Sequence, residues 1–312
     1  MTTLLHISDM HFGTEQPLVV AALRALALAN KPDVLIVSGD ITQRAKPAEF
    51  AEARAFCDSL QAGHLLAVPG NHDIPLFNLF DRAFQPYSHY RKAFGQALEQ
   101  HVATPTLNIS TVNTSRAWRH KNGEVSSAQI DRVCSQLSRA TAQQLRVVVV
   151  HQPVYVPRPQ DEHDRLRGWQ PAVCAWSAAG ADMVLGGHIH LPYVRELSVP
   201  VAGLARRMWC VQAGTAVSRR VRREAPNSVN LIKFLPAAQG LHCSVERWDY
   251  EAADEKQTPP PVYVDKAQTE PHEPHEPHEP REPRELDKLA DLAKGQFVLT
   301  HTSMLDLQRG SA

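Results

Sequence analysis

HLLAVPGNHD, residues 64–73, decides the fold. Leu65 to Val68 form a short apolar run, and Pro69 and Gly70 end it. Asn71, His72 and Asp73 then follow side by side. A turn after a buried strand needs glycine, proline or asparagine. It has no need of an amide, an imidazole and a carboxylate in succession. The stretch therefore reads as a strand that delivers polar chemistry to a sheet edge, and the other strand ends can be searched for the same.

They supply it. TLLHIS (3–8) is followed by Asp9 and His11, and DVLIVSG (33–39) by Asp40. LRVVVV (145–150) is followed by His151, and ADMVLGG (181–187) by His188 and His190. Each run has the length of a fully buried strand and ends in turn chemistry. Between the runs, PLVVAALRALALANK (17–31), PAEFAEARAFCDSLQ (47–61) and SSAQIDRVCSQLSRAT (126–141) carry apolar residues at helical spacing. The last opens with serines suited to a cap. Strand–helix alternation predicts an α/β fold, and such sheets bind ligands at the carboxyl ends of their strands.

Asp9, His11, Asp40, Asn71, His151, His188 and His190 amount to two carboxylates, four imidazoles and one amide. Gathered in one sheet without a cation they would repel or stay unsatisfied. Seven side chains, one of them bridging, suit two ions roughly 3.5–4 Å apart. A carboxylate bridges well because it has two oxygens. On a strand, residues i and i+2 point the same way, so the D-x-H and H-x-H pairs are each expected to reach one centre. Nitrogen and oxygen donors without thiolate predict divalent or trivalent Mn, Fe, Zn or Co. A single Asp-x-His or Gly-Asp is ordinary turn chemistry; the whole ordered set carries the reading.

The 312 residues include 33 basic and 33 acidic side chains, so there is no bulk attraction to nucleic acid or an anionic membrane. No apolar run approaches the ~20 residues of a membrane span. MTTLLHISDMHF lacks the basic and apolar segments of a signal peptide. Cys57, Cys134, Cys174, Cys210 and Cys243 include no CxxC pair and read as reduced core thiols of a cytoplasmic protein.

Residues 73–100 read as a helical insertion directly after the quoted motif. From about 208, MWCVQAGTAV, NSVNLIKFL and LHCSVERWDY read as successive strands, so the folded domain is expected to span 1–252. Beyond it, EPHEPHEPHEPREPRE (270–285) places proline at every third position. That favours an extended polyproline helix with His272, His275 and His278 on one side. We read it as a solvated spacer rather than a metal-collecting stripe. Residues 253–312 are expected to be a disordered tail, with one short amphipathic helix over 286–294.

The ordered set D-x-H, G-D, G-N-H-D, H and G-H-x-H resembles the calcineurin-like metallophosphoesterase superfamily over roughly residues 3–250. The resemblance implies a four-layer α/β/β/α sandwich of two mixed sheets with a dinuclear metal centre. By motif position it implies that Asp9, His11 and His190 hold one ion and that Asn71, His151 and His188 hold the other. Asp40 would bridge them. His72 would be no ligand but the catalytic donor to substrate oxygens and the leaving group. In the protein-phosphatase branch an acidic residue three positions after the bridging Asp orients that histidine. Here the position is Gln43, and the D-R-G ending of that branch is also absent.

The compact GDITQ and GNHD motifs, the helical stretch after them and the later AGTAVSRR are similar to bacterial class III 3',5'-cyclic-nucleotide phosphodiesterases. The resemblance implies hydrolysis of a small phosphodiester, with a cyclic nucleotide as leading candidate, by metal-activated hydroxide. A nuclease would want a basic stripe that is missing. A pyrophosphatase for lipid-linked nucleotides would want an apolar membrane-facing insertion. A non-catalytic scaffold could lose ligands, whereas all seven candidates and His72 are present. Arg219, Arg220, Arg222 and Arg223 read as a solvated loop rather than a phosphate contact, and Asn113 as a residue facing the site.

Overall fold

Strands that are apolar on both faces need cover on both sides, and the computed structural model shows how the chain supplies it. It describes residues 1–76, 78–237, 240–252 and 295–307. The chain opens with β1 (Thr2–Ile7), α1 (Pro17–Asn30), β2 (Val34–Val37), α2 (Pro47–Ser59) and β3 (His64–Ala67). Next come α3 (Leu79–Phe84), α4 (Ser88–Phe94), β4 (His101–Ala103), β5 (Leu107–Thr111), α5 (Ser127–Leu137), β6 (Leu145–Val149), α6 (Trp169–Ala178) and β7 (Met183–Gly186). The final strands are β8 (Tyr193–Glu196), β9 (Trp209–Gln212), β10 (Ser228–Ala237), β11 (Gly240–Ala252) and β12 (Gly295–Leu305).

Two six-stranded sheets result, in the orders β12-β11-β10-β1-β2-β3 and β4-β5-β6-β7-β9-β8. In the first, β1, β2 and β3 run parallel and β10 to β12 antiparallel. In the second, β5, β6, β7 and β9 run parallel between antiparallel edges. These are the two mixed sheets that the family resemblance implies.

Strand alternation sends side chains to different cores. Leu5, Ile7, Leu35 and Val37 face outward and pack with Leu23 of α1 and Phe50 of α2. Leu4, Val34 and Ile36 face inward and meet Leu145, Val147, Val149, Met183 and Leu185 of the second sheet. Val148 and Val184 face the far side, against Val133 of α5 and Trp176 of α6. Three apolar layers between four structural layers explain why the central strands read as unbroken apolar runs.

Local signals fix the helix ends. Pro17 and Pro47 sit in the first turns of α1 and α2, where a missing N–H costs nothing. Ser126 and Gln129 form a capping box on α5.

The C-terminal boundary differs from the sequence expectation. Residues 295–305 are not tail; they form β12, antiparallel to β11 with Ala252 opposite Gly295 and Cys243 opposite Leu305. Phe297 enters the outer core of the first sheet, its ring 5.8 Å from that of Tyr250. FVLTHTSML is rich in β-branched and aromatic or aliphatic residues. Reading 253–312 as one unit, from its proline triplets, hid that change. The triplets with His272, His275 and His278, and the helix expected over 286–294, lie outside the described residues. Among the described residues no helix is long and apolar enough to cross a membrane.

Candidate active site

Three strand ends of the first sheet and two of the second converge. Asp9 and His11 follow β1, Asp40 follows β2, and Asn71 and His72 follow β3. His151 follows β6, and His188 and His190 follow β7. The groups therefore meet across two sheets rather than along one. Asp9, His11 and His151 are fully buried, and Asp40 nearly so.

The backbone is bent hard to achieve this. Asp9 (φ 51°), His11 (45°), Asp40 (47°), His188 (73°) and His190 (56°) all adopt left-handed conformations. Each costs an L-residue about 1–2 kcal/mol, and such strain gathers where function requires it. Hydrogen bonds hold the bends: Asp9 N–H donates to Gly39 O and His11 N–H to Asp40 O, both at 3.0 Å. Two glycines make room. A Cβ on Gly70 would strike Asp40, and one on Gly187 would strike Ser8 and Asp9.

The side chains form overlapping groups. Asp9, His11 and His190 offer ligand atoms within 4.8 Å of one another, as do Asp40, His151 and His188. Asp9 Oδ1 lies 3.3 Å from His190 Nε2 and 3.8 Å from His11 Nε2. Asp40 turns Oδ2 toward His11 Nε2 (3.9 Å) and Oδ1 toward His151 Nε2 (3.3 Å). Asn71 Oδ1 lies 3.2 Å from His151 Nε2. The expectation that H-x-H serves one centre is overturned: His190 joins one group and His188 the other. Both residues lie past the end of β7 in left-handed backbone, where the i, i+2 rule of a strand does not hold; Asp9 and His11, also left-handed, share one group nonetheless.

The outer ring nitrogens are fixed. His151 Nδ1 donates to the Ser38 carbonyl at 2.8 Å. His190 Nδ1 meets the Arg220 carbonyl, with the Thr215 hydroxyl 2.9 Å away. Nε2 of each ring is therefore the nitrogen turned inward, the one that could bind a metal once it carries no proton.

His72 stands over the cluster, its ring edge-on to His11 with centroids 4.8 Å apart. Its backbone N–H donates to Asp40 Oδ1 (2.8 Å), and its ring Nδ1 meets the Gln43 carbonyl (3.0 Å). Together with Asp40 and His11 it also forms a third close group. Asp73 does not orient the ring. Its carboxylate accepts from the N–H groups of Ile41 (3.0 Å), Thr42 (2.8 Å) and Gly70 (2.8 Å) and from the Thr42 hydroxyl (2.8 Å), tying the two motif loops together.

The calcineurin-like phosphoesterase family model matches residues 2–192. The chain belongs to this family. That makes it a metal-dependent phosphoric ester hydrolase. This phosphoesterase is 25% identical to a probable cyclic nucleotide phosphodiesterase of Rhodococcus erythropolis over 246 residues, 73% of this chain and 78% of the relative. It is 24% identical to a cAMP/cGMP dual specificity phosphodiesterase of Mycobacterium tuberculosis over 251 residues, 75% of this chain and 76% of the relative. Its fold is similar to that of a purple acid phosphatase from yellow lupin, with a TM-score of 0.60 and 10% identity over 80% of this chain and 51% of that one.

The donor set of the phosphoesterase fits metal ions. Asp9 Oδ1 and both ring nitrogens of His188 are buried without a hydrogen-bond partner. His11 Nε2 and His190 Nε2 face each other at 3.3 Å. Atoms so placed suit a cation between them. Burial opposes ionisation of Asp9 and Asp40. The imidazole of His190, aided by His151, still holds the Asp9 carboxyl below its ordinary range, and His151 and His72 do so for Asp40. Burial pushes His11 well down, so its ring stays a neutral donor.

Two neighbours escaped the sequence reading. Arg220 was grouped with a solvated basic loop, yet its Nη1 lies 3.1 Å from His72 Nε2 and 3.0 Å from Gln43 Oε1. Asp164 Oδ1 lies 3.7 Å from His188 Nε2 and 3.1 Å from Lys121 Nζ. Although burial pushes the Asp164 carboxyl up, His188 and Lys121 bring it down to about 2. Gln43 was noted as a departure, and its carbonyl is the group that meets the ring of His72. Asn113 is buried, and its Oδ1 accepts from the N–H of Ser115 in a local turn (3.1 Å).

Proposed function

We propose that this phosphoesterase hydrolyses small phosphodiesters, 3',5'-cyclic nucleotides foremost, at a two-ion centre. Asp9, His11 and His190 would hold one ion, Asn71, His151 and His188 the other, and Asp40 would bridge. The observation that carries this reading is the orientation of Asp40, whose two oxygens turn toward imidazoles of the two groups. The donors suit Mn, Fe, Zn or Co. The relatives named for cyclic-nucleotide hydrolysis support the diester substrate. The five free cysteines support a reducing compartment such as the cytoplasm.

When bound, such ions supply an acidified water and neutralise charge on the phosphoryl oxygens. The rest falls to the chain. Hydrolysis breaks one P–O ester bond; hydroxyl goes to phosphorus and hydrogen to the leaving oxygen. His72 would serve that oxygen through Nε2, because the Gln43 carbonyl holds Nδ1 on the other side. In the resting tautomer Nε2 is an acceptor. Burial keeps the ring neutral, opposed by Asp40 and seconded by Arg220. It donates only after taking a proton, a step that the Asp40 carboxylate favours.

The test is hydrolysis of bis-p-nitrophenyl phosphate, 3',5'-cAMP and the monoester p-nitrophenyl phosphate by chelated and metal-restored protein. Diester turnover should return with metal. Asp40→Asn should lose bound metal and turnover together; two ions retained in that variant would contradict the bridge. Monoester turnover without diester turnover would overturn the substrate reading.

A further inference from the structure

The loop after β9 carries arginines with different fates. Arg222 donates to Asp161 Oδ1 and to the Ile189 carbonyl, each at 3.1 Å, and lies 3.4 Å from Glu224. It is a braced structural residue. Arg220 turns toward the site instead. Its Nη1 donates to Gln43 Oε1 at 3.0 Å and reaches His72 Nε2 at 3.1 Å. Among the described residues no carboxylate pairs with it. Arginine is charged at any working pH, and the partners it has, an amide oxygen and an imidazole, leave that charge uncompensated.

A half-buried guanidinium that no carboxylate among the described residues pairs with, beside the groups that would act on a phosphoryl centre, has its charge directed at the place of an anionic substrate. Its planar fork matches two phosphate oxygens. We propose that Arg220 is a phosphate-binding residue. Its guanidinium takes a non-bridging oxygen of the scissile diester, and in doing so it releases His72 Nε2 to the leaving oxygen. The inference deepens the phosphodiesterase reading and rests on it. It also gives Gln43 a purpose: an acid at that position would neutralise Arg220, whereas the amide holds it without competing with the substrate's charge.

Only the side chain of Arg220 is at issue. Its carbonyl, which accepts from the Thr215 hydroxyl at 2.8 Å and meets His190 Nδ1, survives any substitution. Arg220→Gln and Arg220→Lys should therefore keep wild-type metal content.

The experiment is calorimetric binding of inorganic phosphate to the metal-loaded proteins, together with KM and kcat for bis-p-nitrophenyl phosphate. A lost charge-assisted hydrogen bond predicts phosphate affinity and KM weaker by about 10- to 100-fold in Arg220→Gln. Arg220→Lys, a point charge without the fork, should recover part of the loss. Phosphate bound as tightly by Arg220→Gln as by wild type overturns the proposal. So does loss of metal in both variants, which would make Arg220 a structural support. A wild-type enzyme inactive on diesters would overturn the substrate reading alone, and the phosphate affinities would still decide the role of Arg220.

Discussion

At the scale of residues, the candidate site is bought with backbone strain. His188 lies at φ 73°, where an L-residue is held off its preferred conformations. His188→Ala and His188→Gly both delete the imidazole, so they differ only in the backbone. Glycine relieves about 1–2 kcal/mol of left-handed strain and loses about 0.5–1 kcal/mol to the greater freedom of its unfolded chain. The first effect wins. In chelated protein the glycine variant should be more stable than the alanine variant by about 0.5–1 kcal/mol, the reverse of their usual order. Urea unfolding measures this, and equal midpoints would show that the turn relaxes around alanine. The candidate donors were marked in the sequence by their place at the ends of apolar runs. Arg220 and Asp164 were not, since neither follows a strand that marks it. A run of four arginines over residues 219–223 gives no hint that one turns inward while its neighbour Arg222 pairs with Asp161.

At the scale of elements, β1, β2, β3, β6 and β7 were readable because each carries a mainly buried apolar run. β4 and β8 were not, because they are the partly exposed edge strands of the second sheet and carry no buried apolar run. β12 was hidden by the proline triplets before it. That strand gives a clear prediction. Phe297 is 6% exposed and packs into the outer core with Tyr250. Phe297→Ala should cost about 3 kcal/mol, the low end for a buried aromatic because the strand is at a sheet edge. Ending the chain at Ala252 should be worse, because β11 then loses the whole ladder of β12. Replacing residues 256–291 by a short Gly–Ser linker should keep both strands, since Ala252 and Gly295 already lie opposite each other. Thermal unfolding separates these cases. A chain ended at Ala252 with a wild-type midpoint would show that β12 adds nothing to the sheet.

At the scale of the whole molecule, the sequence pattern shows which strands carry donors but not which sheet each joins. Spatial strand order depends on crossovers, which leave no periodic trace. The candidate donors come from both sheets, so an ion held between them would act as a cross-link between the two halves of the sandwich. Metal should then stabilise the whole fold, by about 2.7 kcal/mol at a hundredfold excess over Kd. The size of the effect should depend on pH. Burial pushes the His151 imidazole down, but the carboxylates of Asp40 and Asp9 and the Ser38 carbonyl outweigh it and bring it up to about 9. Without metal, the protonated His151–Asp40 pair stabilises the fold fully below pH 6.5, and that contribution is lost as pH rises through about 9. A cation must displace the same proton, so its affinity rises about tenfold per pH unit over this window and levels off above it. Burial lowers His11 and His72, so neither adds a competing proton near neutrality. The gap in Tm between metal-loaded and chelated protein should therefore widen from pH 6.5 to 9. Differential scanning fluorimetry with Mn and with EDTA across that range measures it. A gap that stays constant would mean that His151 holds no proton for the ion to displace and that its ring is already neutral across this range.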